Sequence, residues 1–406
     1  MFYHNYELQR LALTPMRILA SNALSVLDLP HNPLRQTPLG RFTAAMLDSF
    51  EYTTRKYEKP EFGYKHTIIG GEPVPVSEEI VRSTTWCDLR RFRRQAHRPE
   101  DPRLLIVAPM SGHHATLLRG TAQAFLPDHD VHITDWRDAR EVPVTSPDFD
   151  LDDYIDHIIA FFHALGENTH VLAVCQPAVP VLAAVALMSA AGDAYAPRSM
   201  TLIGGPVDTR VAPTAPNRFA QAHSLEWFRS NVIDRVPLGN PGFMREVYPG
   251  FLQLAGFMAM NFDRHVEAHW QMFLHLVQGD GESAAAKRSF YDEYRSTMDL
   301  PAEYYLQTIR AVFQEHLLPR GLMISRGRPI DLAAIELTAL QTVEGERDDI
   351  SGIGQTHAAH ALCRRLPAHM KDHWEQPGVG HFGLFNGRRF QNEVAPRIKR
   401  FIQAHR

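Results

Sequence analysis

The central part of the chain alternates short apolar runs with stretches of helical spacing. Continuous apolar runs are typical of strands that are buried on both faces. Such runs occur at residues 103–109, 131–136, 170–175 and 199–207. Residues 151–165 have the strongest amphipathic helical pattern, and residues 179–190 predict a buried helix. Strands that alternate with helices predict a parallel sheet with helices on both of its faces.

The N-terminal region has a different pattern. Residues 1–60 predict helices, and Pro15 is expected to break the first of them because proline lacks the N–H that a helix interior needs. The apolar stripe of this first helix consists of Leu8, Leu11, Ile18 and Leu19. A second helix is predicted at residues 43–57, and short strands are predicted at residues 65–71 and 84–92.

The alternation of strands and helices stops after Val207. The next hundred residues or so contain no convincing strand and predict helices rich in aromatic residues and methionine. The strand pattern returns at residues 337–349, and a helix at residues 388–403 closes the chain. A helical insertion between two halves of a sheet predicts a cap over a site at the carboxyl ends of the strands. The predicted parts are an N-terminal helical extension, a first core half, a cap and a second core half, at residues 1–62, 63–207, 208–320 and 321–406.

Composition narrows the class of protein. Of the 406 residues, 44% are hydrophobic and 22% are charged, and the formal net charge is −4. The absence of a basic excess argues against a nucleic-acid partner. Three cysteines are too few and odd in number for a disulfide framework, so we expect free thiols in a reducing compartment. Because neither a signal peptide nor a run of about 20 apolar residues occurs, we expect an intracellular protein without a membrane span.

The stretch AVCQP carries the first candidate chemistry. Cys175 ends an apolar strand and precedes a helix, which is the position of the nucleophile in the G-x-S-x-G turn of α/β-hydrolases. Ala173 is small, as the first flank of such a turn requires, and Pro177 replaces the second glycine, where its fixed φ suits the first turn of a helix. Gln176 keeps the backbone N–H that an oxyanion needs. From this motif alone, a buried structural cysteine is the commoner interpretation.

Two later motifs change that balance. GERDD follows an apolar strand and places Asp348 where the acid of a catalytic triad belongs, with Asp349 as the adjacent alternative. PGVGHFG puts His381 on a tight loop before the last helix. Each motif alone is also typical of a solvated surface. Together, however, Cys175, Asp348 and His381 follow the nucleophile–acid–base order of α/β-hydrolases, and we predict that they form a triad.

The loop PMSGHH, after the strand at residues 103–109, is expected to provide the second oxyanion donor. The backbone N–H groups of Met110 and Ser111 are the two alternatives, and His113 is expected to line the pocket. Side chains of the cap are candidates for an apolar substrate groove, although cap core is the simpler interpretation for most of them. These candidates are Phe251, Phe257, Met258, Met260, Phe262, Trp270 and Phe273.

Beyond these motifs, the sequence resembles the intracellular poly(3-hydroxybutyrate) depolymerases over nearly its whole length. The resemblance rests on VLAVCQPAVPVLAAVALM, VEGERDD, LLIVAPMSGHHATLLRG, HITDWRDAREVP and GHFGLFNGRRF. It implies an α/β-hydrolase fold, in which a mostly parallel central sheet carries helices on both faces and a helical cap is inserted between sheet strands. It also implies that Cys175, Asp348 and His381 are nucleophile, acid and base. The AVCQP form argues against the related granule polyester synthases, whose cysteine lies between glycines.

The resemblance further implies that the protein degrades stored polyester granules to 3-hydroxybutyrate units or short oligomers. Its partner is then the granule surface in the cytoplasm, with no nucleic acid, no cofactor and no metal, while homo-oligomerisation stays open. An acyl-thioester intermediate also allows coenzyme A as an acyl acceptor. The alternatives are a small-molecule ester or lactone hydrolase and a non-catalytic granule-bound protein of this fold. The N-terminal aromatic residues Phe2, Tyr3 and Tyr6 either contact a granule or pack against the protein.

Two other clusters of residues have simpler interpretations than a functional site. His357, His360 and Cys363 recur every three residues, which is compatible with one helix face. No carboxylate or fourth ligand follows at a known spacing, so we interpret this pattern as chance. A basic cluster at residues 90–94 is interpreted as the solvated face of a strand.

Overall fold

The computed structural model describes residues 2–29, 31–96, 98–260, 262–278, 288 and 291–406. The strands β1 to β14, in chain order, are His66–Ile69, Glu72–Ser83, Cys87–Arg94, Arg103–Val107, Asp130–Trp136, Thr169–Val174, Ser199–Ile203, Asp234–Arg235, Glu246–Tyr248, Leu300–Pro301, Ile324–Ser325, Arg328–Pro329, Ala339–Gly345 and Lys371–Gln376. The α-helices of the described residues, α1 to α14, are Phe2–Leu27, Pro33–Gln36, Pro38–Thr54, Arg119–Phe125, Leu151–Leu165, Ala178–Ala190, Ala215–Ala222, Leu225–Val232, Gly250–Met260, Phe262–Gln278, Ala302–Thr308, Ala359–Leu362, Gly387–Arg389 and Ala395–Ala404. Two segments have a wider helical turn: Ile309–Gln314 follows α11, and Phe390–Val394 joins α13 to α14.

A nine-stranded sheet organises the fold, in the order β1-β2-β3-β5-β4-β6-β7-β13-β14. From β5 to β14 all neighbours pair in parallel, whereas β1, β2 and β3 add an antiparallel extension at one edge. The segment between β7 and β13, which are neighbours in the sheet, contains α7 to α11. A mostly parallel sheet with helices and an insertion of this kind is the α/β-hydrolase fold, and the predicted fold class is confirmed.

Side chains that alternate along the central strands form two separate cores. Leu105 and Val107 of β4 belong to the core beneath α5 and α6, whereas Leu104 and Ile106 of the same strand belong to the core beneath α4 and α14. All four side chains are at most 1% exposed. This period-2 alternation, with both faces buried, explains why these strands read as continuous apolar runs.

Helix α5 has the bounds predicted from its spacing. Asp150 accepts a hydrogen bond from the backbone N–H of Asp153 at 2.8 Å, and the Asp153 carboxylate accepts one from the N–H of Asp150 at 2.9 Å. This reciprocal capping box satisfies two N–H groups that a helix start leaves free. Gly166, with a φ of 85°, ends the helix. Local capping and the amphipathic pattern therefore agree with the tertiary structure.

The expected break at Pro15 is wrong. Helix α1 runs through Pro15, and its predicted stripe faces solvent, since Leu8, Leu11 and Leu19 are 63%, 66% and 68% exposed. An interior proline costs a helix about 3 kcal/mol. Packing of α1 along α3 outweighs that cost, and Arg17 also donates a hydrogen bond to the Thr54 carbonyl at 2.7 Å.

The second predicted helix is also shifted. Helix α3 begins at Pro38 rather than at residue 43 and ends at Thr54 rather than at residue 57. Thr37 caps it by accepting a hydrogen bond from the N–H of Gly40 at 3.0 Å, and proline at the first helical position needs no partner for an N–H. The cap and the proline therefore set the start of the helix several residues before its apolar pattern begins.

The hydrophobic pattern of the sequence does not predict several of the strands. Strands β2 and β14 were not predicted, because β2 is mostly exposed and β14 is a half-exposed, polar edge strand. The inserted segment was expected to lack strands, but β8, β9 and β10 form a small antiparallel sheet there. Each is only two or three residues long. Strands so short have no period to detect, and tertiary contacts decide their pairing.

Candidate active site

Cys175 lies on a sharp turn between β6 and α6. Its φ is +67°, a left-handed conformation that is strained for any residue with a side chain. The backbone N–H of Cys175 donates to the carbonyl of Ile203 on β7 at 2.7 Å, and the Cys175 carbonyl accepts from the N–H of Ala178 at 3.1 Å. These bonds hold the thiol at the carboxyl edge of the sheet, as in the nucleophile turn of α/β-hydrolases.

Pro177 fits this turn without strain. Its φ of −57° and ψ of −14° are helical, and its carbonyl accepts the N–H of Val181 at 2.9 Å. Glycine is therefore not required at this position, because the left-handed residue of the turn is Cys175 itself. This geometry accounts for the replacement of the second glycine of the motif by proline.

Two glycines at the end of β7 pack closely against the turn of Cys175. A Cβ atom on Gly205, just after β7, would lie 2.2 Å from the Cβ of Ala178 and 3.0 Å from the Cys175 carbonyl oxygen. A Cβ on Gly204, whose φ is +55°, would lie 3.1 Å from His381 Cε1. Sequence reasoning missed this Gly-Gly pair, although two glycines directly after a buried strand are a detectable signal of close backbone packing.

Asp348 and His381 meet beside this turn. His381 Nδ1 lies 2.7 Å from Asp348 Oδ2, and both side chains are nearly inaccessible to solvent. The other carboxylate oxygen, Oδ1, accepts the backbone N–H groups of Ile350 at 2.9 Å and Ser351 at 2.8 Å. Within the described residues, the Asp348 carboxylate therefore accepts hydrogen bonds from N–H donors, which orients it and leaves His381 Nε2 for another partner.

The charge state of His381 follows from its neighbours. Burial by itself lowers the pKa of this imidazole. The negative charge of Asp348 and the adjacent sulfur of Cys175, by charge and by hydrogen bonding, raise it more, so the pKa of His381 lies well above its usual range. The three predicted residues thus come together, and the arrangement favours an imidazolium next to the thiol. Asp349, the alternative acid, is not the carboxylate bonded to His381.

The oxyanion candidates follow the ends of β4 and β6, which are neighbours in the sheet. Met110 and Ser111 follow β4, and Gln176 follows Cys175. Among the described residues, the backbone N–H groups of these three positions donate no hydrogen bond within the protein. The side-chain amide of Gln253 donates to the Ser111 carbonyl, and the N–H of Met298 donates to the Gly112 carbonyl at 2.9 Å. The loop is therefore held by the inserted segment while its N–H groups stay available.

The inserted segment also covers the site. His113 is 2% exposed and its Nε2 donates to the carbonyl of Tyr294 at 3.0 Å. Its ring lies 5.7 Å from that of Phe257 and 6.4 Å from that of Phe382, the residue after His381. Burial is the main cause that lowers the pKa of His113 to about 4, so the ring is neutral at physiological pH. His113 thus lies between the cap and the loop that carries His381.

The other cap candidates have different surroundings. Phe251 stacks on Tyr6 with 4.0 Å between ring centroids. Both residues, together with Met258, line a cleft with a volume of about 250 Å³. Trp270 is 54% exposed and stacks on Phe273 at 5.6 Å. The side chains of Met260 and Phe262 lie outside the described part of the structure.

Tyr304 of α11 is a cap residue that sequence reasoning missed. It is buried, and burial raises the pKa of its hydroxyl well above the usual range; the nearby side chains of Gln176 and Thr308 lower this pKa, and nearby Cys175 raises it. No motif marks this tyrosine in the sequence.

The remaining cysteines contrast with Cys175. Cys87 and Cys363 are fully buried, whereas Cys175 is partly accessible, and all three are free thiols. Burial raises the pKa of the Cys363 thiol to about 12 and that of Cys87 well above its usual range. Among the described helices, none is long and apolar enough to cross a membrane.

A family model described as the C-terminus of PHB depolymerases matches residues 204–406, which include the Gly-Gly pair, Asp348 and His381. The chain belongs to the PHB depolymerase family. The predicted resemblance is confirmed, and this depolymerase-family chain is a carboxylic ester hydrolase. No curated protein matches it.

Solved structures resemble the depolymerase-family chain only distantly. An esterase from Thermogutta terrifontis is 13% identical, with 84% of this chain and 98% of that chain covered and a TM-score of 0.41. A 2-hydroxy-6-oxo-6-phenylhexa-2,4-dienoate hydrolase from a Rhodococcus strain is 11% identical, with 81% and 99% covered and a TM-score of 0.44. A monoacylglycerol lipase from Paleococcus ferrophilus is 10% identical, with 75% and 95% covered and a TM-score of 0.43.

Proposed function

We propose that this protein hydrolyses the ester bonds of stored, amorphous poly(3-hydroxybutyrate) with Cys175 as nucleophile, His381 as base and acid, and Asp348 as the residue that orients His381. The observation that carries the proposal is the position of a partly accessible thiol on a strained turn, beside an imidazole that a buried carboxylate holds. The family supports ester hydrolysis as the reaction.

The reaction proceeds in two stages. In the first, the Cys175 thiolate attacks an ester carbonyl of the polymer, and the imidazolium of His381 gives its proton to the departing alkoxide, which leaves as a hydroxyl chain end. An acyl thioester on Cys175 results. In the second, His381 takes a proton from water, the hydroxide attacks the thioester, and the carboxylic acid leaves as the thiolate reforms. His381 regains its proton, and no metal or cofactor takes part.

Backbone donors stabilise the charge on the carbonyl oxygen in both stages. The Gln176 N–H is one donor, and the N–H of Met110 or Ser111 is the other. Each lacks a competing acceptor within the described residues. A preorganised donor of this kind commonly contributes about 3 kcal/mol to the transition state.

Coenzyme A is proposed as a second acyl acceptor. A thioester on Cys175 exchanges with an external thiolate without any change in the protein groups, since the leaving and attacking atoms are both sulfur. The product is then a 3-hydroxyacyl thioester instead of a free acid. Incubation of enzyme and polymer with coenzyme A tests this, and absence of any acyl-thioester product contradicts it.

We further propose that α1 contacts the polyester granule in the cytoplasm. Its exposed apolar residues lie on one helical face, and contiguous apolar surface is typical of an interaction site. This face consists of Leu8, Leu11, Met16, Ile18, Leu19 and Val26. Of the N-terminal aromatic residues, Tyr3 and Tyr6 pack against Phe251, whereas Phe2 is 54% exposed.

Substitution on this face is a cleaner test of granule binding than truncation. Tyr3 is 1% exposed and bonds Asp299, so deletion of the first residues disturbs the fold. We expect Leu8→Ser, Leu11→Ser and Leu19→Ser together to reduce co-sedimentation with granules while soluble-ester turnover is retained. The control variant carries leucine-to-serine substitutions at three other exposed positions, Leu238, Leu322 and Leu337. Equal binding by both triple variants would contradict the contact.

The decisive test of the mechanism compares the wild type with Cys175→Ala on amorphous polymer and on a small soluble ester. We expect Cys175→Ala to lose turnover of both substrates, and iodoacetamide to label the wild type at Cys175 alone. Cys363→Ala is the matched control, because that thiol is buried and its pKa is raised to about 12. Polymer turnover by Cys175→Ala equal to that of the wild type would refute the mechanism. Wild-type turnover of the small ester alone would favour a small-molecule hydrolase instead.

A further inference from the structure

Three histidines on the second half of the sheet form a cluster that the ester chemistry does not use. His357 lies two residues before α12, His360 lies in α12, and His373 lies on β14. One ring nitrogen from each of the three lies within 4.8 Å of those from the other two. The sequence places His360 three residues after His357, but only the tertiary structure adds His373. Cys363, the third member of the sequence pattern, is buried and does not join them.

We infer that His357, His360 and His373 bind a divalent transition-metal ion of the zinc type. Imidazole nitrogens are ligands that suit Zn²⁺, Cu²⁺ and Ni²⁺. Two nitrogens on a tetrahedral zinc ion lie about 3.4 Å apart, as follows from a Zn–N distance of about 2.1 Å. Small side-chain rotations therefore bring the three rings to ligand distance. His357 is exposed, which leaves access from solvent and an open coordination position.

Thr342 provides the outer support that metal-binding histidines usually have. Its hydroxyl oxygen lies 2.8 Å from His360 Nε2 and 2.9 Å from His373 Nδ1. A hydroxyl has one proton, so at least one of these nitrogens donates its N–H to Thr342. The other nitrogen of that ring then carries a lone pair. Hydrogen bonds of this kind fix the tautomer and the ring orientation of ligating histidines.

Glu344 adds negative charge next to the cluster. It is 2% exposed, and its carboxylate lies 4.0 Å from His373 Nε2. The same carboxylate accepts the backbone N–H groups of Gly354, Thr356 and His357 at 2.8, 2.7 and 3.0 Å. It therefore fixes the backbone of His357 and supplies an anion that partly balances a dication.

A metal at this position connects the two segments that carry the acid and the base. Asp348 begins the segment that leads to His357, and β14 leads from His373 to the loop of His381. Thr356, next to His357, accepts the N–H of Gly205 at 2.8 Å. The ion thus acts on the stability of the active-site edge, and it is separate from the proposed ester chemistry.

Zinc and cobalt binding test this inference without any activity measurement. The protein is used at full length, free of any histidine tag and stripped with a chelator, in the Cys175→Ala background so that the nucleophile cannot act as a ligand. We expect one equivalent of Zn²⁺ to bind with micromolar or tighter affinity and to raise the thermal midpoint. Co²⁺ in its place is expected to give the visible absorption of a nitrogen-ligated ion.

Single substitutions assign the site. His357→Ala and His373→Ala should each weaken binding at least tenfold, and His369→Ala, an exposed histidine outside the cluster, should leave it unchanged. Thr342→Val keeps the shape of this side chain but removes the hydroxyl that contacts His360 and His373, and it should weaken binding less than loss of a ligand. If the stripped protein binds no stoichiometric metal, or if His369→Ala weakens binding as much as His373→Ala, the inference is wrong.

Discussion

Replacement of Asp348 by asparagine separates the role of its charge from that of its shape. The side chain of Asp348 is completely buried and accepts three hydrogen bonds, from His381 and from the backbone N–H groups of Ile350 and Ser351. In Asp348→Asn, the amide oxygen is needed by the two backbone donors, so the NH₂ group faces His381 Nδ1. An amide NH₂ cannot accept from an imidazole N–H, and the ring therefore adopts the tautomer that leaves no lone pair toward Cys175.

The expected loss follows from this geometry. At an effective dielectric constant of about 20, unit charges about 4 Å apart attract each other by about 4 kcal/mol. Removal of the Asp348 charge destabilises the His381 imidazolium by about this amount, which is about three powers of ten in rate. Loss of the productive tautomer adds to it, and the same change in a serine-protease triad costs about 10⁴-fold. We therefore expect kcat to fall about 10³- to 10⁴-fold while the fold is retained.

The assay measures turnover of amorphous polymer by turbidity and of a soluble ester by absorbance, with circular dichroism to confirm folding. Asp349→Asn is the matched control, because Asp349 is adjacent in sequence but is not the carboxylate bonded to His381. Alkylation of Cys175 at several pH values gives a second reading, and its pH profile should shift in Asp348→Asn only. An Asp348→Asn enzyme that keeps a tenth of its activity, or an equal loss in Asp349→Asn, would refute the reasoning.

Three further predictions concern the same edge of the sheet. Because the pKa of His381 is raised in the folded protein, the protonated imidazole contributes fully to stability below about pH 6.5, and this contribution is lost as the pH rises through the raised pKa. We expect kcat to fall through the same alkaline range. A kcat that does not depend on pH there would contradict acid catalysis by His381. Gly205→Ala places a methyl group 2.2 Å from the Ala178 Cβ, so we expect it to lower the free energy of unfolding in urea by about 1–3 kcal/mol and to lower activity as well. Gly256→Ala, whose added Cβ meets no atom within 4 Å, should be neutral or stabilising. Equal unfolding midpoints for the two variants would count against the close approach at Gly205. Pro177→Gly should lower stability by about 1 kcal/mol through the unfolded chain and retain activity, since the φ of −57° suits proline; a large loss of kcat would show that the proline also positions the nucleophile.

The parallel part of the sheet was predictable because it is determined locally. Strands β4 to β7 are buried on both faces and read as apolar runs, and α5 has its own amphipathic pattern and capping box. Strand β2, which is mostly exposed, and the edge strand β14, which is half-exposed, have neither signal. Helix α1 shows the opposite failure, because its apolar stripe faces solvent and its proline is tolerated by packing on α3.

The candidate site divides in the same way. The positions of Cys175 and Asp348 at one edge of the sheet were predictable, because each follows a buried strand and parallel strands end at the same edge. His381 was predictable only from its glycine-rich loop, since the sequence pattern does not show β14, the strand before it. The choice of Asp348 over Asp349 could not be made with certainty from GERDD, because both carboxylates follow the same turn. The bond between Asp348 and His381 decides it, and that bond depends on how the loop of His381 folds back on β13.

The sequence by itself determined the chain order of Cys175, Asp348 and His381, the buried strands that precede Cys175 and Asp348, and the helix that follows Cys175. These properties depend on the spacing of neighbouring residues, and they persist in any fold that buries the same runs. The tertiary structure alone decided that Gly205 makes room for the turn of Cys175, that Tyr304 and His113 lie near the site, and that His373 joins two histidines from another segment. The physical reason is that each of these contacts joins segments far apart in the chain, and packing, rather than local spacing, brings them together.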